Sequence, residues 1–190
     1  MAPYAHPQAL VESDAIGEGT RVWAFAHVMN GAVVGRDCNI GEHCFIEKGA
    51  VVGDRVTVKN HVAIWAGITI HDGVFIGPNA SLTNDYRPRS RHADWTLSPT
   101  EIGEGATIGA NATIVCGIEI GPFAFVGAGS VVTRNVAPHA LVYGNPARQR
   151  GFVCQCAEPL TFKNQQARCR ACKRRYRKDR RGNVTMSAAS

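Results

Sequence analysis

A branched aliphatic residue recurs at every sixth position over most of this chain. The series runs Leu10, Ile16, Val22, Val28, Val34, Ile40, Ile46, Val52, Val58, Ile64, Ile70, Ile76 and Leu82, and resumes at Ile102, Ile108, Ile114, Ile120, Val126 and Val132. Four residues after most of these the side chain is small or β-branched: Thr20, Ala26, Ala32, Cys38, Cys44, Ala50, Val56, Val62, Ala80, Ala106, Ala112, Ala124 and Ser130. An amphipathic helix needs i, i+3, i+4, i+7 and a half-buried strand alternates at period two, so neither accounts for a six-residue step. Six residues do suit one short flat face plus a corner, and three such faces close a triangular coil. The period therefore predicts an all-β chain wound as a parallel β-helix. A β-sandwich is the alternative, but its strands recur irregularly, at about 8–12 residues, with turn signals between. Gly17, Gly35 and Gly53 fall eighteen apart, which reads as one corner repeated on successive coils, with glycine supplying φ > 0. Layers at about 4.8 Å give about six and a half coils and a column roughly 30 Å tall. No coil buries its own face alone, so the stack forms as a unit.

The column is expected over residues 1–150, with residues 151–190 as a separate module. Inside the column the period is suspended between Leu82 and Ile102, and the intervening residues 83–101 read TNDYRPRSRHADWTLSPTE. A regular coil cannot absorb this polar segment, so it leaves the prism as a loop. Loops on a rigid scaffold often carry function, and Tyr86, Trp95 and several arginines are unusual in a passive one. The other reading is a tolerated surface insertion.

Net charge is +6, but from Arg148 onward twelve Lys/Arg stand against two Asp/Glu, a balance of +10 that leaves the preceding part near −4. The run KRRYRKDRR, Lys173 to Arg181, is either a nucleic-acid-binding patch or a solvated end. The solvated end is preferred, and a nucleic-acid partner is not expected. No run of eighteen apolar residues marks a membrane span. The start, MAPYAHPQALVESD, lacks a secretory signal, so a cytoplasmic location is expected.

Seven cysteines in a cytosolic chain point to metal or buried thiols. Cys38, Cys44 and Cys116 read as core packing. Cys154-Gln-Cys156 is followed after twelve residues by Cys169-Arg-Ala-Cys172, the spacing of a zinc ribbon. Four thiolates would close the coordination sphere of a structural Zn²⁺. A redox thiol pair is the rival, without a helix N-terminus to lower the thiol pKa.

Three stretches carry a family resemblance. Gly144-Asn145-Pro146-Ala147-Arg148 resembles the terminal motif of coenzyme A-dependent hexapeptide acyltransferases. The coils Thr107–Gly117 and Phe125–Val132 resemble their cofactor-side coils, and Thr83-Asn84-Asp85-Tyr86-Arg87-Pro88-Arg89-Ser90 resembles the loop of N-acetyltransferases acting on nucleotide-linked 3-amino sugars. The chain is thus similar to the left-handed β-helix acyltransferases, in particular the UDP-2-acetamido-3-amino-2,3-dideoxyglucuronate N-acetyltransferase group. The resemblance covers about residues 1–152. It implies a left-handed coil, a homotrimer, acetyl-CoA in the groove between prisms, and transfer to a nucleotide-linked amino sugar, at C3, for surface polysaccharide. It leaves open whether the nucleotide is UDP or dTDP. It assigns Asn84 to orienting the acceptor amine.

Acetyl transfer to an amine needs a neutral nucleophile, a thioester held close and donors for the oxyanion. Backbone N–H groups at Gly109-Ala110 or Gly127-Ala128 are candidate donors, and Arg134, Arg148 and Arg150 are candidates for the cofactor's phosphates. Tyr86 is placed to stack on the base or sugar, and Arg87 or Arg89 to meet a diphosphate or sugar carboxylate. His27 and His61 are candidate substrate contacts, and with His43, His71, His92 and His139 they make up the possible bases. An amide does not accept a proton at neutral pH, so no dedicated base is expected and the departing thiolate or water takes the proton. The competing readings are O-acetyl transfer, which would rely on a histidine, and a carbonic-anhydrase-like protein with zinc held by histidines.

Overall fold

The computed structural model describes residues 1–91, 94–180 and 182–187, and among these there is no helix. His92 lies outside the described residues. Most strands are two residues long, and four sheets of parallel strands cover the three faces of a column, one face being divided between Ala63–Ile64 and Ser81–Leu82. One face stacks eight parallel strands, from Tyr4–Ala5 to Ala140–Gly144. Seven steps of about 4.8 Å make the column roughly 34 Å tall. It exceeds the expected height because Tyr4–Ala5 and Ala140–Gly144 each add a layer beyond the hexads. Among the described residues no helix is long and apolar enough to cross a membrane.

The repeat works as the spacing requires. Val22 lies opposite Ile40, Ile40 opposite Val58, Val58 opposite Ile76, Ile76 opposite Ile108 and Ile108 opposite Val126. Each inward aliphatic therefore rests on its equivalent one coil away. The small residues four places on are all buried, Thr20 and Ser130 included, as are Cys38, Cys44 and Cys116. Burying one such aliphatic is worth about 1.5–3 kcal/mol.

Two expectations need correction. Leu10 is 54% exposed, and it is Val11 that aligns with Val28. The first coil is one residue short, and a one-residue slip sends a strand's side chains to opposite faces. The glycines at 17, 35 and 53 are not there for positive φ. A Cβ on Gly35 would lie 2.5 Å from the carbonyl carbon and oxygen of Gly53, and one on Gly17 would lie 2.5 Å from Arg36 N. Glycine is needed because successive coils touch backbone to backbone.

Positive φ is found elsewhere, in a column at each of the three corners. The first corner holds Phe25, His43, His61, Asn79, Asn111 and Gly129, the second Gly31, Gly49, Gly67 and Gly117, and the third Gly19, Asp37, Arg55, Gly73, Gly105, Phe123 and His139. On the first corner Phe25, His43 and His61 stack in a ladder, with centroids 4.9 and 4.8 Å apart. Phe25 is exposed, whereas Trp23 and Trp65 are half-buried with their indole N–H groups donating to Asn39 Oδ1 and the Leu82 carbonyl.

After Ala140–Gly144 the chain turns back as the antiparallel strand Ala147–Val153 and continues into Pro159–Leu160. Gln166–Arg168, Arg175–Lys178 and Val184–Met186 form a separate antiparallel sheet. Its core is Cys154, Leu160, Ala167, Cys169, Tyr176 and Val184, distinct from that of the column. His139 joins the two: it stacks on Phe123 of the last coils and meets Tyr176 of the module edge-on.

The glycine account is open to a direct test. Gly35→Ala is expected to cost about 1–3 kcal/mol by overpacking. Gly151→Ala, with nothing within 4 Å of the added Cβ, is expected to stay within about 0.5 kcal/mol. Denaturant unfolding measures both.

Candidate functional site

The second corner differs from the others because a loop leaves it. In successive coils it carries Glu47-Lys48-Gly49 after Phe45–Ile46, Trp65-Ala66-Gly67 after Ala63–Ile64, and Thr83-Asn84-Asp85 after Ser81–Leu82. The chain departs at Asp85, where a glycine stood in the coils below. Ser98 N–H donates to the Asn84 carbonyl at 2.9 Å and Asp85 bridges to Leu97, closing the loop at its neck. The excursion is shorter than residues 83–101. Thr83 N–H still donates to Ile114, and the chain is back in the ladder at Thr100, whose N–H reaches the Gly67 carbonyl. Leu97 comes down onto Gly67, where a Cβ would meet it at 2.6 Å.

Between corner and loop lies a cavity of about 300 Å³ lined by Glu47, Trp65, Ala66, Asn84, Asp85, Arg89 and Trp95. Two of these side chains are fixed by the same residue. Glu47 Oε2 accepts from Ala66 N–H at 2.8 Å, and Asn84 Nδ2 donates to the Ala66 carbonyl at 3.3 Å. The amide's orientation is assigned by that bond, and it leaves Oδ1 as an acceptor. Glu47, Trp65, Asp85 and Trp95 were not among the site residues expected from sequence. Residues eighteen apart stack at a corner, so Glu47–Trp65–Thr83 and Lys48–Ala66–Asn84 are the columns that would have disclosed Glu47.

The remaining candidates divide by position. Arg89 lines the Asn84 cavity, while Tyr86 and Arg87 stand exposed outside its lining, the Arg87 N–H on Asp85 Oδ1 at 2.8 Å. Arg134, on the second corner near the column's end, shares a cavity of about 180 Å³ with Arg148. Arg150 instead lies over the Tyr143 ring, 5.4 Å from its centroid. Gly109, Ala110, Gly127 and Ala128 belong to the first corner, as does His61. The Gly109 and Gly127 N–H groups donate to the Val126 and Val142 carbonyls at 2.8 Å each, so both are spent in the ladder. One chain therefore does not bring the Gly-Ala corners to Asn84: the face carrying Ser81–Leu82, Thr113–Ile114 and Val131–Val132 lies between them.

The histidines are dispersed. His27 pairs with Glu12 at 3.3 Å, and His71, at the third corner, pairs with Glu101 at 2.8 Å. His43 and His61 stack on each other. Among the described residues, only Cys154, Cys156, Cys169 and Cys172 bring three or more metal-ligating groups together, their four sulfurs within 4.8 Å of one another. Cys172 is lowered to about 6, first by the backbone hydrogen bond at Arg174 and then by the neighbouring thiols. Tyr176 Oη lies 3.0 Å from Cys154 Sγ and accepts from Gln155 N–H, tying the cluster to the module's core.

The column of six-residue steps and the loop at its second corner are features shared with known proteins. The family model for the bacterial transferase hexapeptide (six repeats) matches residues 15–48 and 99–134. The dTDP-3-amino-3,6-dideoxy-alpha-D-galactopyranose 3-N-acetyltransferase of Aneurinibacillus thermoaerophilus is 50% identical over 174 residues, 92% of this chain and 90% of that protein. A hexapeptide-repeat acetyltransferase of Vibrio cholerae O1 biovar eltor, solved with acetyl coenzyme A, superposes with a TM-score of 0.58 at 27% identity, over 64% of this chain and 70% of that one. The acetyltransferase domain of PglB from Neisseria gonorrhoeae FA1090, also with acetyl coenzyme A, shares the fold at a TM-score of 0.52 and 24% identity, and this chain spans 58% of its length. The chain belongs to the hexapeptide-repeat transferases, in the N-acetyltransferase branch that the Aneurinibacillus enzyme represents.

His139 gives the join between column and module a pH dependence. Burial lowers its pKa, opposed by its hydrogen bond to the Val153 carbonyl at 3.0 Å. The unfolded chain, with a histidine near 6.5, then binds the proton more readily. Stability is full above about 6.5 and is lost as pH falls below it. His139→Phe is expected to flatten part of the fall in unfolding temperature between pH 7.5 and 5, measured by parallel melts of both proteins.

Proposed function

We propose that this protein transfers the acetyl group of acetyl-CoA to the C3 amine of a dTDP-linked 3-amino-6-deoxyhexose destined for a surface polysaccharide. The observation that carries the reading is Asn84, held at the loop neck by Ala66 with its carbonyl oxygen directed to accept a hydrogen bond. A 50% identical relative of nearly equal length bears the name of that reaction. An amide carbonyl accepts an amine N–H and so orients the nucleophile, as effective molarity requires. Within the cavity Arg89 supplies a cation for a sugar-linked diphosphate. Among the described residues no histidine of the same chain lines the cavity, so one chain supplies no base of the kind O-acetyl transfer would rely on. A carbonic-anhydrase-like protein is disfavoured by the 50% identity, over 92% of the chain, to a 3-N-acetyltransferase.

A homotrimer completes the site in this reading. Cyclic symmetry sets one patch of a chain against a different patch of its neighbour. A threefold arrangement can place the first corner of one chain, with Ala110 and Ala128, beside the second corner of the next, with Asn84 and Arg134. The pantetheine arm then lies in the groove between prisms, its phosphates toward Arg134 and Arg148. We place the protein in the cytoplasm, where acetyl-CoA and nucleotide sugars are made.

The cysteine cluster is read as a structural zinc site. Tetrahedral Zn–S bonds of about 2.3 Å put sulfurs about 3.8 Å apart. Here Cys154–Cys172 is 3.3 Å and Cys156 lies 3.5 Å from both Cys169 and Cys172. Four thiolates fill the coordination sphere, so the ion would hold the module together and take no part in transfer.

Asn84→Ala is expected to lower kcat by about 10²-fold or more, the loss of an orienting contact, while the Kd for acetyl-CoA by calorimetry stays within about threefold. Unchanged turnover would remove Asn84 from the mechanism. Metal analysis of the purified protein is expected to give about one zinc per chain. Less than half an equivalent with all thiols free would exclude the zinc site.

A further inference from the structure

The cavity lining holds a second acceptor side chain besides Asn84. Glu47 stands on the second corner below Asn84, half-buried, with Oε2 fixed by Ala66 N–H at 2.8 Å. Among the described residues its Oε1 takes no protein partner, and neither does Asn84 Oδ1. Both side chains are anchored to one residue, Ala66, through its N–H and its carbonyl respectively. The wall therefore presents two oxygens of known anchorage and no donor from either group.

Resting on the proposed N-acetyl transfer, we propose that Glu47 is the catalytic base, and that with Asn84 it forms a two-oxygen cradle that selects an amine over a hydroxyl. A neutral primary amine has two N–H donors and one lone pair. One N–H donates to Asn84 Oδ1, the other to Glu47 Oε1, and the lone pair is left facing the thioester carbonyl. The nitrogen attacks that carbon and becomes cationic as the C–N bond forms. Glu47 Oε1 removes one N–H proton, the C–S bond breaks, and the proton passes from Glu47 to the departing thiolate. Amine and thioester become amide and free thiol, with the carboxylate restored. A hydroxyl has a single O–H donor and leaves one oxygen of the cradle unpaired. Sites built around such a hydrogen bond reject the analogue that lacks it by as much as about 10⁴–10⁵-fold.

The cavity's charge agrees with this assignment. Its ionisable lining is Glu47, Asp85 and Arg89. Other charged groups on or near that corner are Lys48, next in the chain, His27, one coil below and paired with Glu12, and Arg134 toward the column's end. Asp85 Oδ1 already accepts from Arg87 N–H inside the loop. Glu47 is the carboxylate that shares its anchor with Asn84.

The test compares the unaltered protein with Glu47→Gln and Glu47→Asp, on the 3-amino nucleotide sugar that the unaltered protein uses, from pH 6 to 9.5. Glutamine keeps the shape and the bond to Ala66 N–H but cannot accept a proton. Its kcat is expected to fall about 10²-fold or more near neutral pH, the usual worth of a general base, with acetyl-CoA affinity unchanged by calorimetry. The deficit is expected to shrink as pH rises, because hydroxide replaces the missing base. Glu47→Asp is expected to keep the pH profile of the unaltered protein at a reduced rate. A Glu47→Gln rate within threefold of the unaltered protein, or an equal deficit at every pH, would overturn the role of Glu47 while leaving the transferase reading intact. Absence of turnover in the unaltered protein with every 3-amino sugar offered would overturn both.

Discussion

The column depends on one interaction: the aliphatic of each short strand resting on its equivalent one coil away. A two-residue strand makes too few hydrogen bonds to persist alone, and a coil exposes its inner face until another covers it. Stacking supplies both the buried area and the ladder bonds. It also demands that coils approach at the ladder spacing along their whole perimeter. At Gly17, Gly35 and Gly53 that approach leaves no room for a Cβ. The stack thus dictates the hexads and small inward residues, and with them the glycines at these contacts.

The same stacking builds the site. Because a coil takes eighteen residues, groups far apart in sequence become vertical neighbours at a corner. Glu47–Trp65–Thr83 and Lys48–Ala66–Asn84 are such sets, Glu47 reaching across to the Ala66 N–H of the second, and the loop leaves directly above them. A loop alone would hold Asn84 loosely. Here its neck is tied by Ser98 to Asn84 and by Thr100 to Gly67, so the insertion begins and ends on the ladder of the column. The groups expected from sequence fall on two corners of the column, which is the physical reason for placing the completed site between chains.

The inward positions were legible because a strict period leaves few alternatives, and Cys154, Cys156, Cys169 and Cys172 were legible because metal-ligand spacing is itself a pattern. Their convergence to within 4.8 Å needed no further information. Leu10 was misread because one missing residue in the first coil preserves the count and reverses the side chain. The corner glycines were found for the wrong reason: sequence shows that glycine repeats, but only the stacked backbone shows whether φ or contact demands it. Gly109 and Gly127 looked like free donors because ladder bonds are invisible until the coils are aligned. Glu47 lies within the regular repeat and outside the insertion, so in sequence only the eighteen-residue step connects it to the loop.

The most direct test of the account sets two acceptors side by side: a dTDP-linked 3-amino-6-deoxyhexose and its 3-hydroxy counterpart, each with acetyl-CoA, followed by thiol release and mass analysis of the sugar. The account requires one thiol for each amide formed on the amino sugar, and background rates on the hydroxy sugar. Equal release with both, or release with neither, would contradict it.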